Sequence, residues 1–269
     1  MLGSEKAKLS KLGILVTREG QIADRAKLHI EAPANISGTI SMSGVIGAHT
    51  YIRRNVTVDR CSHIGRYCSI AQGAVIGHAE HPTSWLSSHP FQYGEAWVSK
   101  RWSSHQDFAF KKPELKGGTY IGHDVTVGIN AIVMRGVHLG TGSIIQPGTV
   151  VTQDVPPFAI IEGIPGRIVG WRHSSSLIKK IIKSRWWRFE ADALLGLPFD
   201  RAAKSISELN KREKEGSLKQ IEDSFILVKE GKISKRNRRS WLIEEVTPSD
   251  PSANALSKNT SQLKIPQTA

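Results

Sequence analysis

The stretch IGHDVTVGINAIVMRGVHLGTGSIIQPGTVVTQDV, residues 121–155, reads as one phrase repeated every six residues. Ile121, Val127, Val133, Leu139, Ile145 and Val151 mark the beat. Four residues after each comes a small or short side chain: Val125, Ala131, Val137, Ser143, Thr149 and Val155. An amphipathic helix repeats its apolar residues every three or four positions and a half-buried strand every two, so neither sustains a period of six. A parallel β-solenoid does, because one short strand plus one corner take six residues and three such sides close a triangular coil. The aliphatic points into the prism, and the small residue packs inside the corner, where a bulky one would push the wall outward. Coils stacked at roughly 4.8 Å then turn the interior into a column of Ile and Val, stiff side chains that suit a pleated surface.

The same beat runs earlier in the chain through Ile40, Ile46, Ile52, Val58, Ile64, Ile70 and Ile76, with Gly44, Thr50, Val56, Ser62, Cys68 and Ala74 as the small residues. Leu28 and Ala34 extend it backward. Counted this way there are nine hexads before a break and six after it, five coils in all. The expected organisation is therefore a capping segment over residues 1–27 and a solenoid over 28–170. A helical segment follows over 171–229, with one helix from about Ser174 to Ala193 and another from about Phe199 to Lys214. Residues 230–269 are poor in apolar side chains and are expected to be disordered.

The break is the chemical signal. Between residues 77 and 118 the hexads stop, and loops of that length usually carry function. The insert holds His78, His81, His89 and His105 together with aromatics such as Trp85, Phe91, Tyr93, Trp97 and Trp102. Polar groups on an aromatic loop above a rigid scaffold are a common way to build a binding site.

The 269 residues leave no room for a second large enzyme domain, and the formal net charge of +13 favours an acidic ligand or surface without choosing one. Basic residues are scattered. The densest run, from Lys232 to Arg239, reads as a solvated tail, so neither a nucleic-acid surface nor stable membrane insertion is expected. With only Cys61 and Cys68 and no disulfide framework, a reducing cytoplasm is the expected compartment. Phosphate-cradling glycine loops and Ser or Cys nucleophile motifs do not occur.

Three segments, IGRYCSIAQGAVIG from Ile64, HPTSWLSSHPF from His81 and the run from Ile121 to Arg167, resemble the hexapeptide-repeat acyltransferases. The closer likeness is to the xenobiotic (streptogramin and chloramphenicol) acetyltransferase branch and its sugar-modifying relatives. Arg185-Trp186-Trp187 and Leu197-Pro198 are similar to the tryptophan pair that follows the solenoid there. The resemblance implies an all-β fold, a left-handed parallel β-helix with a long inserted loop and a C-terminal helical tail. It also implies a homotrimer with sites between neighbouring prisms and direct acetyl transfer from acetyl-CoA to a hydroxyl or amine. The expected acceptor is a sugar or sugar-nucleotide of surface-polysaccharide assembly, the alternative an antibiotic of the chloramphenicol or streptogramin kind. A non-catalytic solenoid scaffold is the reading from another class.

By the same resemblance His81 is the general base, with His89 as the alternative. The group that orients the imidazole is left open among Glu80, Glu95 and Asp107. Gly128, Ile129, Pro147, Thr152, Gln153 and Arg167 are the implied coenzyme contacts, and Trp85, Phe91, Tyr93 and Trp102 the acceptor contacts. Gln153 stands where relatives often carry Lys, and Arg172 is a candidate replacement for that charge. No metal is expected: zinc-binding members of the fold pair two histidines five residues apart, and His123 has no such partner.

Overall fold

The computed structural model describes residues 3–78, 80–90, 113, 114, 116–222 and 224–237. It is a left-handed parallel β-helix of about seven turns. A short helix, α1 (Gly3–Lys11), leads into a first coil of β1 (Ile14–Val16), β2 (Gln21–Ile22) and β3 (Lys27–Ile30). The second coil is β4 (Ala34–Ile36), β5 (Thr39–Ile40) and β6 (Gly44–Ile46), and the third β7 (Tyr51–Ile52), β8 (Thr57–Val58) and β9 (Cys61–Ile64). The fourth begins with β10 (Ser69–Ile70) and β11 (Val75–His78), and the insert separates these from its third strand, β12 (Thr119–Ile121). β13 (Thr126–Val127), β14 (Ile132–Met134) and β15 (His138–Leu139) form the fifth coil. β16 (Ile144–Ile145), β17 (Val150–Val151) and a bridge from Val155 to Leu139 form the sixth, and β18 (Ala159–Glu162) opens the seventh.

Every third strand stacks in register, giving three sheets. Sheet A runs from β1 through β4, β7, β10, β13 and β16 to β18; sheet B contains β2, β5, β8, β11, β14 and β17; sheet C contains β3, β6, β9, β12 and β15. Across the break the beat is unbroken, because Ile64 pairs with Ile121, Ile70 with Val127 and Ile76 with Val133. All thirteen aliphatics of the two uninterrupted runs are 2% exposed or less. Ten of the twelve small corner residues are buried as expected. The exceptions are half-buried Gly44 and exposed Ser62, where Cys61 fills the interior position instead.

The first coils correct the sequence reading. The coil starts at Ile14, inside the segment expected to be only a cap, and Val16 and Ile22 lie in its core. Leu28 and Ala34 are interior but off the beat. Ile30 pairs with Ile46 and Ile36 with Ile52, so these two carry the register and the coil joining them is two residues shorter than the later ones. With the extra coil at the start and β18 at the end, sheet A has seven parallel levels rather than five.

Both ends of the prism are closed. At the far end β18 turns back into β19 (Arg167–Trp171), which pairs antiparallel with it. Helix α2 (Ser175–Ser184) follows, with Ser174 at its N-cap, and ends well short of Ala193. The chain continues through tight turns at Trp186–Arg188 and Ala191–Leu194 into α3 (Ala202–Lys214). At the near end β20 (Ser224–Lys229) adds antiparallel to β3, and β21 (Lys232–Asn237) adds to β20, so ordered structure passes the boundary expected at residue 230. Lys232, Lys235 and Arg236, read as part of a solvated tail, sit in this outermost strand, where charge discourages further strand addition. The rest of that expected tail, 238–269, lies outside the described residues.

Candidate functional site

A triangular prism has three edges, and this chain finishes each differently. The edge between sheets C and A carries the returning C-terminal segment. Arg66, at the corner after β9, sends Nε and Nη2 to the two carboxylate oxygens of Glu31 at 2.6 and 2.7 Å, and Nη1 to the Trp187 carbonyl at 3.5 Å. Glu31 also accepts from the Ala48 amide at 3.1 Å. Both side chains are under 9% exposed, so the pair is a desolvated fork whose carboxylate accepts a third hydrogen bond from the backbone. Above it the rings interleave: His49 stacks on Tyr67 at 4.5 Å, Tyr67 meets Trp186 at 4.8 Å, and His123 stacks on Trp187 at 5.0 Å. The Tyr67 hydroxyl donates to the Phe189 carbonyl at 3.2 Å. Gly142, with φ +75°, leaves the space that the Phe158 ring fills, since a Cβ there would lie 2.6 Å from it. This is the clasp of the molecule. The tryptophan pair of the family resemblance is part of it.

Arg172 belongs to the clasp too. Its Nη1 lies 2.8 Å from both Asp124 Oδ2 and the Gly142 carbonyl. It therefore does not supply a charge in place of Gln153, which is exposed on a different edge. Burial pushes the Asp124 carboxyl above its ordinary range, with Arg172 opposing.

The edge between sheets A and B gathers four of the six coenzyme candidates. Gly128 lies directly under the Gln146–Pro147 peptide: a Cβ on it would stand 2.5 Å from the Pro147 nitrogen, so coil stacking itself requires glycine here. Ile129, next along, is 52% exposed, which is unusual for its type and leaves an apolar side chain to cover. The Gly148 amide bonds the Ile129 carbonyl, and the turn before β19 packs Gly166 on Val150 and points exposed Arg167 to the same end. Thr152 and Gln153 are not there. They follow β17 and lie, exposed, on the edge between sheets B and C.

That last edge is where the insert leaves and returns. It departs after His78 and comes back with Lys116 beside Gly136 and the Gly117 carbonyl 3.3 Å from Arg135 Nε. His81 is exposed, and its Nδ1 lies 3.1 Å from the Ser88 carbonyl oxygen. A carbonyl only accepts, so in this contact Nδ1 is the donor. The carbonyl belongs to a residue seven positions further along the insert. Glu80, one of the acids considered for orienting the imidazole, is 3.8 Å from Lys116. A main-chain acceptor of this kind leaves no residue-type signal in the sequence. His89 is exposed, and its backbone amide donates to Ser87 Oγ at 3.2 Å. Trp85 is half-buried on the same turn. Phe91, Tyr93, Trp102, Glu95 and Asp107 lie outside the described residues.

Within one chain, then, the Gly128–Ile129–Pro147 strip lies on the edge between sheets A and B, while the insert that bears His81 leaves sheet B at its other edge. A groove of about 410 Å³ lies elsewhere, at the foot of the clasp among Leu12, Pro33, His49, Glu190, Asp192 and Lys235, and holds none of the candidate site residues. Among the described residues no group of three or more His, Cys, Asp or Glu is placed to hold a metal, and no helix is long and apolar enough to cross a membrane. Cys61 and Cys68 are buried, and burial pushes both thiols up to about 12.

Known proteins share this architecture. Residues 118–153 match the bacterial transferase hexapeptide family (six repeats). A chloramphenicol acetyltransferase of Morganella morganii is 37% identical over 134 residues, 49% of this chain and 61% of that protein. A probable macrolide acetyltransferase of Lysinibacillus sphaericus is 31% identical over 134 residues, 49% of this chain and 71% of that protein. Among solved structures, a point mutant of AntD, an N-acyltransferase from Bacillus cereus in complex with dTDP and coenzyme A, superposes with a TM-score of 0.48. It is 16% identical and covers 66% of this chain and 96% of that one. The chain spans about three-fifths of the length of the first curated relatives it matches. With the Lysinibacillus relative covered to 71% of its length at 31% identity, the chain belongs to the hexapeptide-repeat acetyltransferase family which that relative represents.

Proposed function

We propose that the protein transfers an acetyl group from acetyl-CoA to a hydroxyl or amine, with His81 as general base. The observation that carries this reading is the Nδ1 contact of His81 with the Ser88 carbonyl, which supports a proton on Nδ1 and leaves Nε2 as the basic nitrogen. Nε2 takes the proton from the acceptor as its oxygen or nitrogen attacks the thioester carbonyl. The tetrahedral intermediate then collapses, breaking the C–S bond, and the imidazolium returns that proton to the departing coenzyme thiolate. No acyl-enzyme forms, in keeping with two thiols that are buried and raised to about 12. Exposed Ile129 and Arg167 offer the coenzyme an apolar contact and a cation for its phosphates, Pro147 shapes the wall between them, and Thr152 and Gln153 belong to the base's edge.

Since the insert that bears His81 leaves sheet B at the edge opposite the strip, the site is completed by a neighbouring copy, as in the expected homotrimer. For the acceptor, Trp85 and the aromatic insert support stacking against a sugar or sugar-nucleotide. The 31–37% identity to proteins named for chloramphenicol and macrolides favours an antibiotic hydroxyl as the second reading. Release of free thiol from acetyl-CoA across a panel of sugars, sugar-nucleotides, chloramphenicol and macrolides decides between them. Calorimetric titration showing no acetyl-CoA binding would sink the catalytic reading altogether and leave a scaffold.

A further inference from the structure

The three edges of the prism differ in how they dispose of charge. On the edge between sheets C and A the corner arginines have their acids: Arg66 holds Glu31, and Arg172 holds Asp124. On the edge between sheets B and C the signs are mixed, with Asp59 3.9 Å from Arg60 and Glu80 3.8 Å from Lys116. The edge between sheets A and B is cationic alone. From the second coil to the sixth its corners, residues 37–38, 53–56, 71–74, 128–131 and 146–149, hold Arg53 and Arg54 and no acid. Both arginines are exposed, and among the described residues neither is ion-paired. The corners stack coil on coil. The Gly73 amide donates to the Arg54 carbonyl at 3.3 Å, the Asn130 amide to the Gln72 carbonyl at 3.1 Å, and the Gly148 amide to the Ile129 carbonyl at 2.8 Å. Arg54, Gln72 and Ile129 therefore stand in one ladder, with Pro147 next. Arg54 is also held: its Nε donates to Gln72 Oε1, one coil up, at 3.1 Å. That bond uses one donor of the guanidinium and fixes its plane, which leaves the Nη groups as a fork for phosphate or carboxylate. A cation kept only for solubility needs neither a positioning amide nor an edge cleared of acids.

Resting on the proposed function, we infer that Arg54, positioned by Gln72 and assisted by Arg53, binds an oxyanion carried by the acceptor, so that the substrate is an anionic sugar and not a neutral antibiotic. Coenzyme phosphates at Arg167 put the thioester at the other end of the ladder, past Pro147 and Ile129. Arg54 stands two coils beyond Ile129, roughly 10 Å further along the edge, on the side left to the acceptor. An uncharged acceptor would leave both guanidinium groups unmet. The diphosphate that links a sugar to a nucleoside and the carboxylate of a sugar acid present the same oxyanion chemistry to the fork.

Calorimetric titration of the full chain tests this without reference to turnover, with UDP and glucuronate as probes for the two sources. The probe that binds names the acceptor's anion, and Arg54→Gln weakens it about tenfold or more with the unfolding midpoint unmoved. Gln72→Ala keeps the charge but releases the guanidinium, so it weakens the same probe to a smaller degree, and added salt weakens it further. Acetyl-CoA binds Arg54→Gln as it binds the wild type and binds Arg167→Gln less tightly. Wild-type affinity for the probe in Gln72→Ala would remove the positioning role. Acetyl-CoA binding with neither probe bound would overturn the inference and leave the catalytic reading intact. Loss of acetyl-CoA affinity in Arg54→Gln would assign this cation to the coenzyme and overturn the inference equally. Should a probe bind through Arg54 while acetyl-CoA does not bind at all, the oxyanion site stands and the catalytic reading falls.

Discussion

The edge between sheets C and A and the two edges flanking sheet B are built from the same hexads, yet one is closed and the others are open. On the closed edge a buried arginine, two tryptophans and a returning chain satisfy each corner. On the open edges lie a half-exposed isoleucine, exposed Arg167 and an exposed histidine on a long insert. The difference teaches where the chain spends its packing. The clasp stabilises the prism and holds its two ends together, while the open edges carry the groups proposed to meet coenzyme and acceptor.

The comparison breaks most readily at Arg66. Arg66→Met leaves the Glu31 carboxylate buried without its cation, which costs about 3–5 kcal/mol of unfolding free energy, read by urea denaturation. The turnover of the molecules that remain folded is unchanged. A loss below about 1 kcal/mol would mean the clasp is not the closed, desolvated edge described. The opposite pattern is expected at His81: His81→Ala lowers kcat by about 10²–10⁴-fold with the unfolding midpoint unmoved, and His89→Ala stays near the wild type. The reverse outcome for the two histidines would move the base to His89.

A smaller effect separates the edges by pH. Burial, then the Arg66 charge, lowers the His49 pKa, and burial lowers those of His29 and His173. The unfolded chain therefore binds protons first as pH falls through about 6.5. The stability these rings contribute is present above that value and is lost below it, toward their lower folded-state values. Burial raises Asp124, which works in the other direction at more acid pH. Unfolding midpoints should fall between pH 7.5 and 5.5, and His49→Asn, whose side chain tolerates the positive φ of 62°, should flatten part of that slope. An unchanged slope would remove His49 from the closed edge. Least of all should thiol reagents matter: the native protein stays unreactive at pH 8, both cysteines react only on unfolding, and acetyl transfer survives alkylation conditions. Inactivation by alkylation of the folded protein would argue against direct transfer.

The coil was legible in the sequence wherever the beat was strict, from Ile40 to Ile76 and from Ile121 to Val155. It was misread at Leu28 and Ala34 because both are apolar and fall six apart, while the residues in register, Ile30 and Ile36, also fall six apart two positions later. Periodicity cannot choose between two apolar phases; only the pairing with Ile46 and Ile52 does. The clasp was illegible for another reason. Glu31, Arg66 and Trp187 are brought together by closure of the whole chain, and a contact spanning 121 residues leaves no local pattern. Of the proposed site, the insert and its histidines stand out in the sequence, but the departure of the insert from a different edge than that of Gly128 and Ile129 does not. Hexad counting gives the position along a coil and says nothing of which edges face each other between copies.

The most direct test of a site shared between two open edges mixes two inactive variants. His81→Ala lacks the base, and Ile129→Glu with Arg167→Glu spoils the coenzyme edge. Unfolded and refolded together in equal amounts, they form mixed trimers in which about a quarter of the sites pair an intact His81 from one copy with an intact coenzyme edge from another. Recovery of roughly a quarter of wild-type acetyl transfer is the predicted result. Mixed trimers as inactive as the two parents would contradict it and return both groups to a single chain.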